Sequence, residues 1–274
     1  MYINGNNIFS MRSLGAIAAL EELYGLPEYF VTTGTGTMIS AYCSYLGTNA
    51  AQVFFEQNFN FLKRNLAMDM LGFLTAPSNA RIRNYNLLND FYTLFKVSTN
   101  KKNLGISEAQ RLLYFIEDKF SFITSRKPIV KSYLSSFELE NAQERLFQTT
   151  SSKLVKTSLA VVPFLPPVEI NEKKYISTQS VQGVPSRTVA DGCHHVLLDT
   201  VGKRGYFNSM TSFQVMISAN EMMMLELKRR AMKNFDFVVD LREHFSESEG
   251  NFLSLYREGY NRTKKTVKKI NLNG

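Results

Sequence analysis

The fold turns on residues 29–47, Tyr29-Phe30-Val31-Thr32-Thr33-Gly34-Thr35-Gly36-Thr37-Met38-Ile39-Ser40-Ala41-Tyr42-Cys43-Ser44-Tyr45-Leu46-Gly47. Tyr29 to Thr33 is aromatic and β-branched, the composition of a buried strand. Gly34-Thr35-Gly36-Thr37 is a turn, and Met38 to Leu46 reads as a helix that Gly47 ends. A strand that turns through glycines into a helix suits two chemistries. It can cradle phosphate on the backbone N–H groups of the helix N-terminus, or present a nucleophilic hydroxyl on a strained elbow of the form G-x-S-x-G. No Lys-Ser/Thr pair stands at the offset a P-loop requires. The elbow reading is the better of the two.

The flanking sequence extends the strand and helix alternation. Tyr2-Ile3 reads as a short strand followed by the polar turn Asn4-Gly5-Asn6-Asn7, and residues 11–24 read as a helix stopped by Gly25 and Pro27. Residues 50–120 are mostly helical, with breaks at Pro77-Ser78-Asn79 and from Thr99 to Gly105. Pro128 to Leu134 and Glu144 to Thr149 alternate like strands. Ser151 to Val161 is a helix running into the Pro163, Pro166, Pro167 loop. His195 to Asp199 is a strand, and residues 209–233 form a long helix. This interleaving predicts an α/β fold with a mainly parallel central sheet flanked by helices.

The 274 residues carry 32 Lys+Arg against 24 Asp+Glu, a formal net charge of +8. The excess is concentrated: Arg257 to Gly274 contains six Lys/Arg and one Glu, or +5, leaving +3 for the first 256 residues. A nucleic-acid footprint is therefore not expected for the main body. Two cysteines, Cys43 and Cys193, do not form a disulfide framework. The first twenty residues lack the basic and apolar regions of a signal peptide. The uncharged run from Tyr29 to Phe55 holds five threonines and three glycines, and reads as strand plus helix rather than a membrane span. An intracellular location, or one within a viral particle, is the expectation.

Four stretches in order resemble the patatin-like phospholipase family, spread across most of the chain. They are Leu14 to Leu23, which is similar to the helix after that family's Gly-rich oxyanion loop; Thr33 to Gly47, which aligns without gaps on its elbow and helix; Thr157 to Val168, similar to its proline segment; and Val184-Pro185 with Asp191-Gly192-Cys193-His194-His195-Val196. The resemblance implies a patatin-like three-layer fold. It implies acyl hydrolysis by a Ser–Asp dyad, the Ser on the elbow, the Asp in a D-G-G motif, and a G-G-G-x-R/K-G loop giving oxyanion N–H groups. No cofactor and no metal are implied.

Each catalytic element is altered here. Thr35 stands at the nucleophile, and Thr33 and Thr37 replace the outer glycines. A β-branched residue tolerates a strained elbow backbone badly, although its hydroxyl keeps nucleophilicity open. The oxyanion loop falls on Gly5, Asn6, Asn7, Ile8, Phe9 and Ser10, where only the first glycine persists. The favoured register sets D-G-G on Ser177-Thr178-Gln179, and a Ser hydroxyl does not take up a proton at neutral pH. Asp191 is the alternative dyad position. A retained fold with a dismantled site is expected: an inactive pseudo-phospholipase with a structural or interaction role and protein partners. The alternative is a lipid acyl hydrolase using Thr35 with Asp191. Richness in Asn, Lys, Tyr and Phe suits an AT-rich genome, and a virion component is one version of the inactive reading.

Other groups read more plainly. His194 and His195 are adjacent on a strand, so they point to opposite faces and do not chelate one ion together with Cys193 and Asp199; His244 is distant. Met222-Met223-Met224 reads as helix core, with an adaptable Met-rich binding face as the alternative, and Phe54, Phe55, Phe59, Phe61, Leu62 and Leu66 as helical core or an acyl groove. Phe252, Tyr256, Tyr260, Val267 and Ile270 lie near helical spacing with Lys264, Lys265, Lys268 and Lys269 mostly off that stripe. The domain expectation is thus a main domain over 1–250 and a basic helical extension over 251–274. The four lysines are candidate contacts to an acidic surface or an anionic membrane.

Overall fold

A computed structural model describes residues 1–5, 8–66, 107–161, 165–186, 189, 192–201, 212–242 and 251–272. The helix breaks expected at Pro77-Ser78-Asn79 and from Thr99 to Gly105 lie outside the described residues. Five strands form the centre of the fold, the short β1 (Tyr2–Ile3), β2 (Tyr29–Thr32), β7 (Val196–Asp199) and β8 (Phe237–Asp240) and the longer, serine-rich β3 (Lys131–Glu138). They pair in parallel in the order β3-β2-β1-β7-β8. The mainly parallel expectation describes this part. The other side is antiparallel: β4 (Gln143–Gln148) and β6 (Lys173–Ser177) both pair with β3, and β5 (Val168–Ile170) pairs with β6. Short connections permit this. Asn171 and Glu172 join β5 to β6 with φ of 49° and 65°, the two left-handed residues of a tight hairpin.

Alternation along each strand sends side chains to two faces. Ile3, Phe30, Leu198 and Val239 join one core, and Tyr2, Val31 and Leu197 the other. The first face is covered by α1 (Arg12–Tyr24), α2 (Gly36–Leu46), α3 (Thr48–Leu66) and α9 (Phe252–Leu272). The peripheral helices α4 (Ser107–Lys119), α5 (Phe122–Ser125) and α6 (Ser152–Leu159) extend that core through Ile116, Ile123 and Val155. On the second face lies α8 (Ser212–Ala231), which reaches the sheet through Ala231. The result is three layers. Phe54, Phe55, Phe59 and Leu62 of α3 are core, and Tyr42 of α2 stacks on Phe54 at 3.8 Å between ring centroids. The Leu66 side chain lies outside the described residues. Met222 and Met223 correct the expectation of helix core: they are 50% and 61% exposed.

α1 and α9 meet backbone to backbone. A Cβ on Gly15 would lie 1.9 Å from the Tyr256 carbonyl oxygen, and one on Gly259 would lie 1.9 Å from that of Arg12. Arg12, 1% exposed, crosses the same junction to Glu258 at 2.7 Å. Along α9 the residues facing α1 and the sheet are Phe252, Leu255, Gly259, Thr263 and Val267, and Arg257, Asn261, Lys265 and Lys268 face out.

On the antiparallel side the buried Glu138 carboxylate accepts from Lys173 and Arg145 at 2.8 and 2.9 Å, and from Asn141. The Lys173 bond, then Arg145 and Asn141, holds its pKa down to about 2 from 4.5. A carboxyl depressed in the fold contributes stability above its unfolded pKa and loses it as pH falls toward the folded one. Melting temperature measured against pH should therefore fall between about 4.5 and 2, and the fall should be shallower in Glu138→Gln.

Candidate functional site

The turn after β2 is built from a left-handed glycine. Gly34 has φ +60°, and a Cβ there would sit 1.7 Å from the Gly5 carbonyl oxygen, so only glycine fits. Its N–H donates to the Ser158 carbonyl at 3.1 Å, and the Thr35 N–H donates to the Gly5 carbonyl at 2.8 Å. Thr35 itself has φ −65° and ψ −19°, ordinary helical values, and α2 begins at Gly36. The expected conflict between a β-branched residue and a strained elbow is thus absent at Thr35: the left-handed conformation falls one residue earlier, on Gly34.

The Thr35 side chain is 2% exposed and donates from Oγ1 to Ser10 Oγ at 2.6 Å, with Ser10 fully buried. Gly5 closes over both: its added Cβ would meet Ser10 Cβ and Thr35 Oγ1 at 2.6 Å each. Ser10 belongs to the buried 3₁₀ turn Ile8–Met11, where Phe9 lies beneath the Arg12 guanidinium at 5.1 Å from the ring centroid. The described end of the segment in the oxyanion-loop position, Ile8 to Ser10, is thus a packed turn. Asn6 and Asn7 lie outside the described residues.

Ser177 ends β6 beside this turn. Its Oγ is 3.3 Å from Thr33 Oγ1, and the Gln179 N–H donates to both, at 3.0 Å to Thr33 and 3.2 Å to Ser177. Ser177-Thr178-Gln179 leads into α7 (Gln179–Gln182). The Cβ of Gln179 is 3.5 Å from where a Gly34 Cβ would be. The structure therefore brings Thr33, Thr35, Ser10 and Ser177 to one end of the sheet, with Ser177 bonded to Thr33 rather than to Thr35. Asp191 lies outside the described residues. Below the turn a separate set of hydroxyls, Thr32, Thr37, Ser40 and Ser132, is joined at 3.0–3.3 Å. Among the described residues no carboxylate or imidazole hydrogen-bonds to Thr35. Hydroxyls paired with hydroxyls hold the turn together but do not take up a nucleophile's proton at neutral pH.

A second buried polar group flanks the turn and has no single motif in the sequence. Asn4 follows β1 and Asp199 ends β7, so two neighbouring parallel strands bring them together at their C-terminal ends. Asn4 Nδ2 donates to Asp199 Oδ1 at 2.8 Å, and the Val201 N–H donates to the same oxygen at 3.2 Å. Lys228 Nζ of α8 lies 2.7 Å from Asp199 Oδ2 and donates to the Val201 carbonyl at 2.7 Å. Burial pushes the Lys228 pKa down, and the Asp199 charge opposes that shift. The strand-end placement of Asn4 and Asp199 was a legible signal; a lysine 29 positions later carried none.

The remaining candidates disperse. His195 Nε2 is 3.3 Å from the Tyr29 hydroxyl, while His194 is exposed and 3.9 Å from Asp236. Cys193 donates to Glu28 at 3.1 Å, and Asp199 turns to Lys228. No group of three or more His, Cys, Asp or Glu fit to hold a metal occurs among the described residues; His244 lies outside them. Of the tail lysines, Lys264 donates to Glu22 at 2.8 Å, with its ammonium over the Tyr260 ring. Lys265 and Lys268 are exposed, and the Lys269 side chain lies outside the described residues. No described helix is long and apolar enough to cross a membrane.

No protein-family model matches this chain, and no curated protein matches it. Among solved structures it is similar to VipD from Legionella pneumophila, at 12% identity and a TM-score of 0.43, over 97% of this chain and 66% of that one. The chain thus spans about two thirds of the length of VipD.

Proposed function

We propose that this protein is a catalytically inactive, patatin-like pseudo-phospholipase with a structural or interaction role, working as a component of a larger assembly, of which a virion is one instance. One observation carries the reading: the hydroxyl in the nucleophile position, Thr35 Oγ1, is buried on a relaxed helical backbone and bonded to Ser10 Oγ at 2.6 Å. An acyl-transfer nucleophile needs an exposed oxygen, a base within reach and preorganised donors for the developing oxyanion. Ser177, in the favoured dyad position, supports the same reading because it holds the turn through Thr33 and Gln179.

A protein that keeps the turn for packing alone has no activated hydroxyl to trap. Incubated with a fluorophosphonate probe, the protein should carry no adduct on the peptide containing Thr35, read by mass spectrometry. An adduct on Thr35 would overturn the inactive reading in favour of a Thr35 acyl hydrolase with Asp191.

A further inference from the structure

The N-terminal edge of the sheet, opposite the Thr35 turn, carries an apolar corner beside a basic helix end. α1 ends in Leu23 and Tyr24, and the link to β2 continues through Gly25, Leu26 and Pro27. Leu23, Tyr24 and Leu26 are 44%, 65% and 44% exposed. Three large, partly exposed apolar side chains within four consecutive positions form a patch rather than a scatter. Beside this corner opens a cavity of about 560 Å³, walled by Leu20, Leu26, Val196, Phe237, Val239 and Val267. That volume is in the range of small-molecule sites, and its walls are mostly apolar.

Charge decides what this edge faces. Val267 of α9 lines the cavity, and Lys268 and Lys265, next to it and half a turn back, are exposed. Lys264 ties α9 to Glu22, the residue before Leu23, which neutralises that carboxylate and fixes the helix end beside the corner. Glu28 at the same edge holds the Cys193 thiol. An apolar corner with an exposed tyrosine at the level of a lysine pair is the pattern of a protein resting on anionic lipid: rings and aliphatic groups enter the interface, and ammonium groups meet the headgroups.

We infer that this edge docks on an anionic bilayer surface, with Leu23, Tyr24 and Leu26 entering the interface, Lys265 and Lys268 contacting headgroups, and the cavity offering apolar walls to a lipid chain. The inference stands independently of whether Thr35 is inert. The chain contains no tryptophan, so Tyr24→Trp places a single reporter on an exposed corner. Its fluorescence should shift to the blue with phosphatidylcholine–phosphatidylserine vesicles, and be quenched when the lipid tails are brominated. Vesicles of phosphatidylcholine alone should bind far more weakly. Adding Lys265→Gln and Lys268→Gln should weaken binding by about thirtyfold, at about 1 kcal/mol per lysine near an anionic surface. No shift with anionic vesicles overturns the inference, as does binding in which brominated tails leave the indole fluorescence of Tyr24→Trp unquenched. Equal binding to both vesicle types overturns the role of the lysines.

Discussion

Gly259→Ala should lower the melting temperature by roughly 4–8 °C, taking about 2–4 °C per kcal/mol for chains of 150–250 residues. Two effects oppose each other at this site. Alanine is the better helix former, by about 1 kcal/mol. Against that, its Cβ would lie 1.9 Å from the Arg12 carbonyl oxygen and 2.7 Å from the carbonyl carbon. These are backbone atoms of a helix packed on the core, so no rotamer change relieves the overlap and the α1–α9 junction must open. Overpacking costs about 1–3 kcal/mol or more, and opening this junction also disturbs the buried contact from Arg12 to Glu258. The clash wins, with a net loss of about 2 kcal/mol once the propensity gain is subtracted. Asn261→Ala, on the exposed face of the same helix, keeps only the propensity term and should leave the melting temperature unchanged or slightly higher. A Gly259→Ala variant as stable as the wild type would show that the two helices do not meet this closely.

Lys228→Met should cost about 3–5 kcal/mol, the range for removing one partner of a buried ion pair. Lys228 and Asp199 side chains are 4% and 1% exposed, with Nζ 2.7 Å from Oδ2. The methionine keeps an aliphatic stem of similar length, which would lie 3.4 Å from a Cβ added at Gly183, so the loss is the charge and the bond to the Val201 carbonyl. Adding Asp199→Asn removes the stranded carboxylate while leaving an oxygen for Asn4 Nδ2 and the Val201 N–H. The double variant should therefore cost at least about 2 kcal/mol less than the two single losses added together, a coupling within the usual range for groups in direct contact. Urea unfolding of the wild type, both single variants and the double variant measures it. Strictly additive losses would mean that the two charges do not interact.

The centre of the fold was legible because its signals are local. The aromatic and β-branched run into Gly34 marked β2, and Gly25, Pro27 and Gly47 marked helix ends. The hairpin β5–β6 was less visible because its turn is Asn171-Glu172, and glutamate is not a residue that signals a left-handed turn. α9 shows a different limit. Its charge was plain, but the apolar stripe read from Phe252, Tyr256, Tyr260, Val267 and Ile270 differs from the buried one, Phe252, Leu255, Gly259, Thr263 and Val267. Glycine and threonine do not register as apolar. Gly259 is buried because it lets two backbones touch, and buried Thr263 turns its hydroxyl back to the Gly259 carbonyl at 2.8 Å. At the site, the position of Thr35 could be read from its glycines, while its bond to Ser10 links residues 25 positions apart and follows only from the packing of the two turns.

The central claim is that the turn around Thr35 is kept for packing and not for chemistry. Its most direct test is hydrolysis of short-chain esters and of phospholipid vesicles by the purified protein, beside a Thr35→Ala variant. The expected result is no release above the uncatalysed rate from either protein. Turnover by the wild type that disappears in Thr35→Ala would contradict the account.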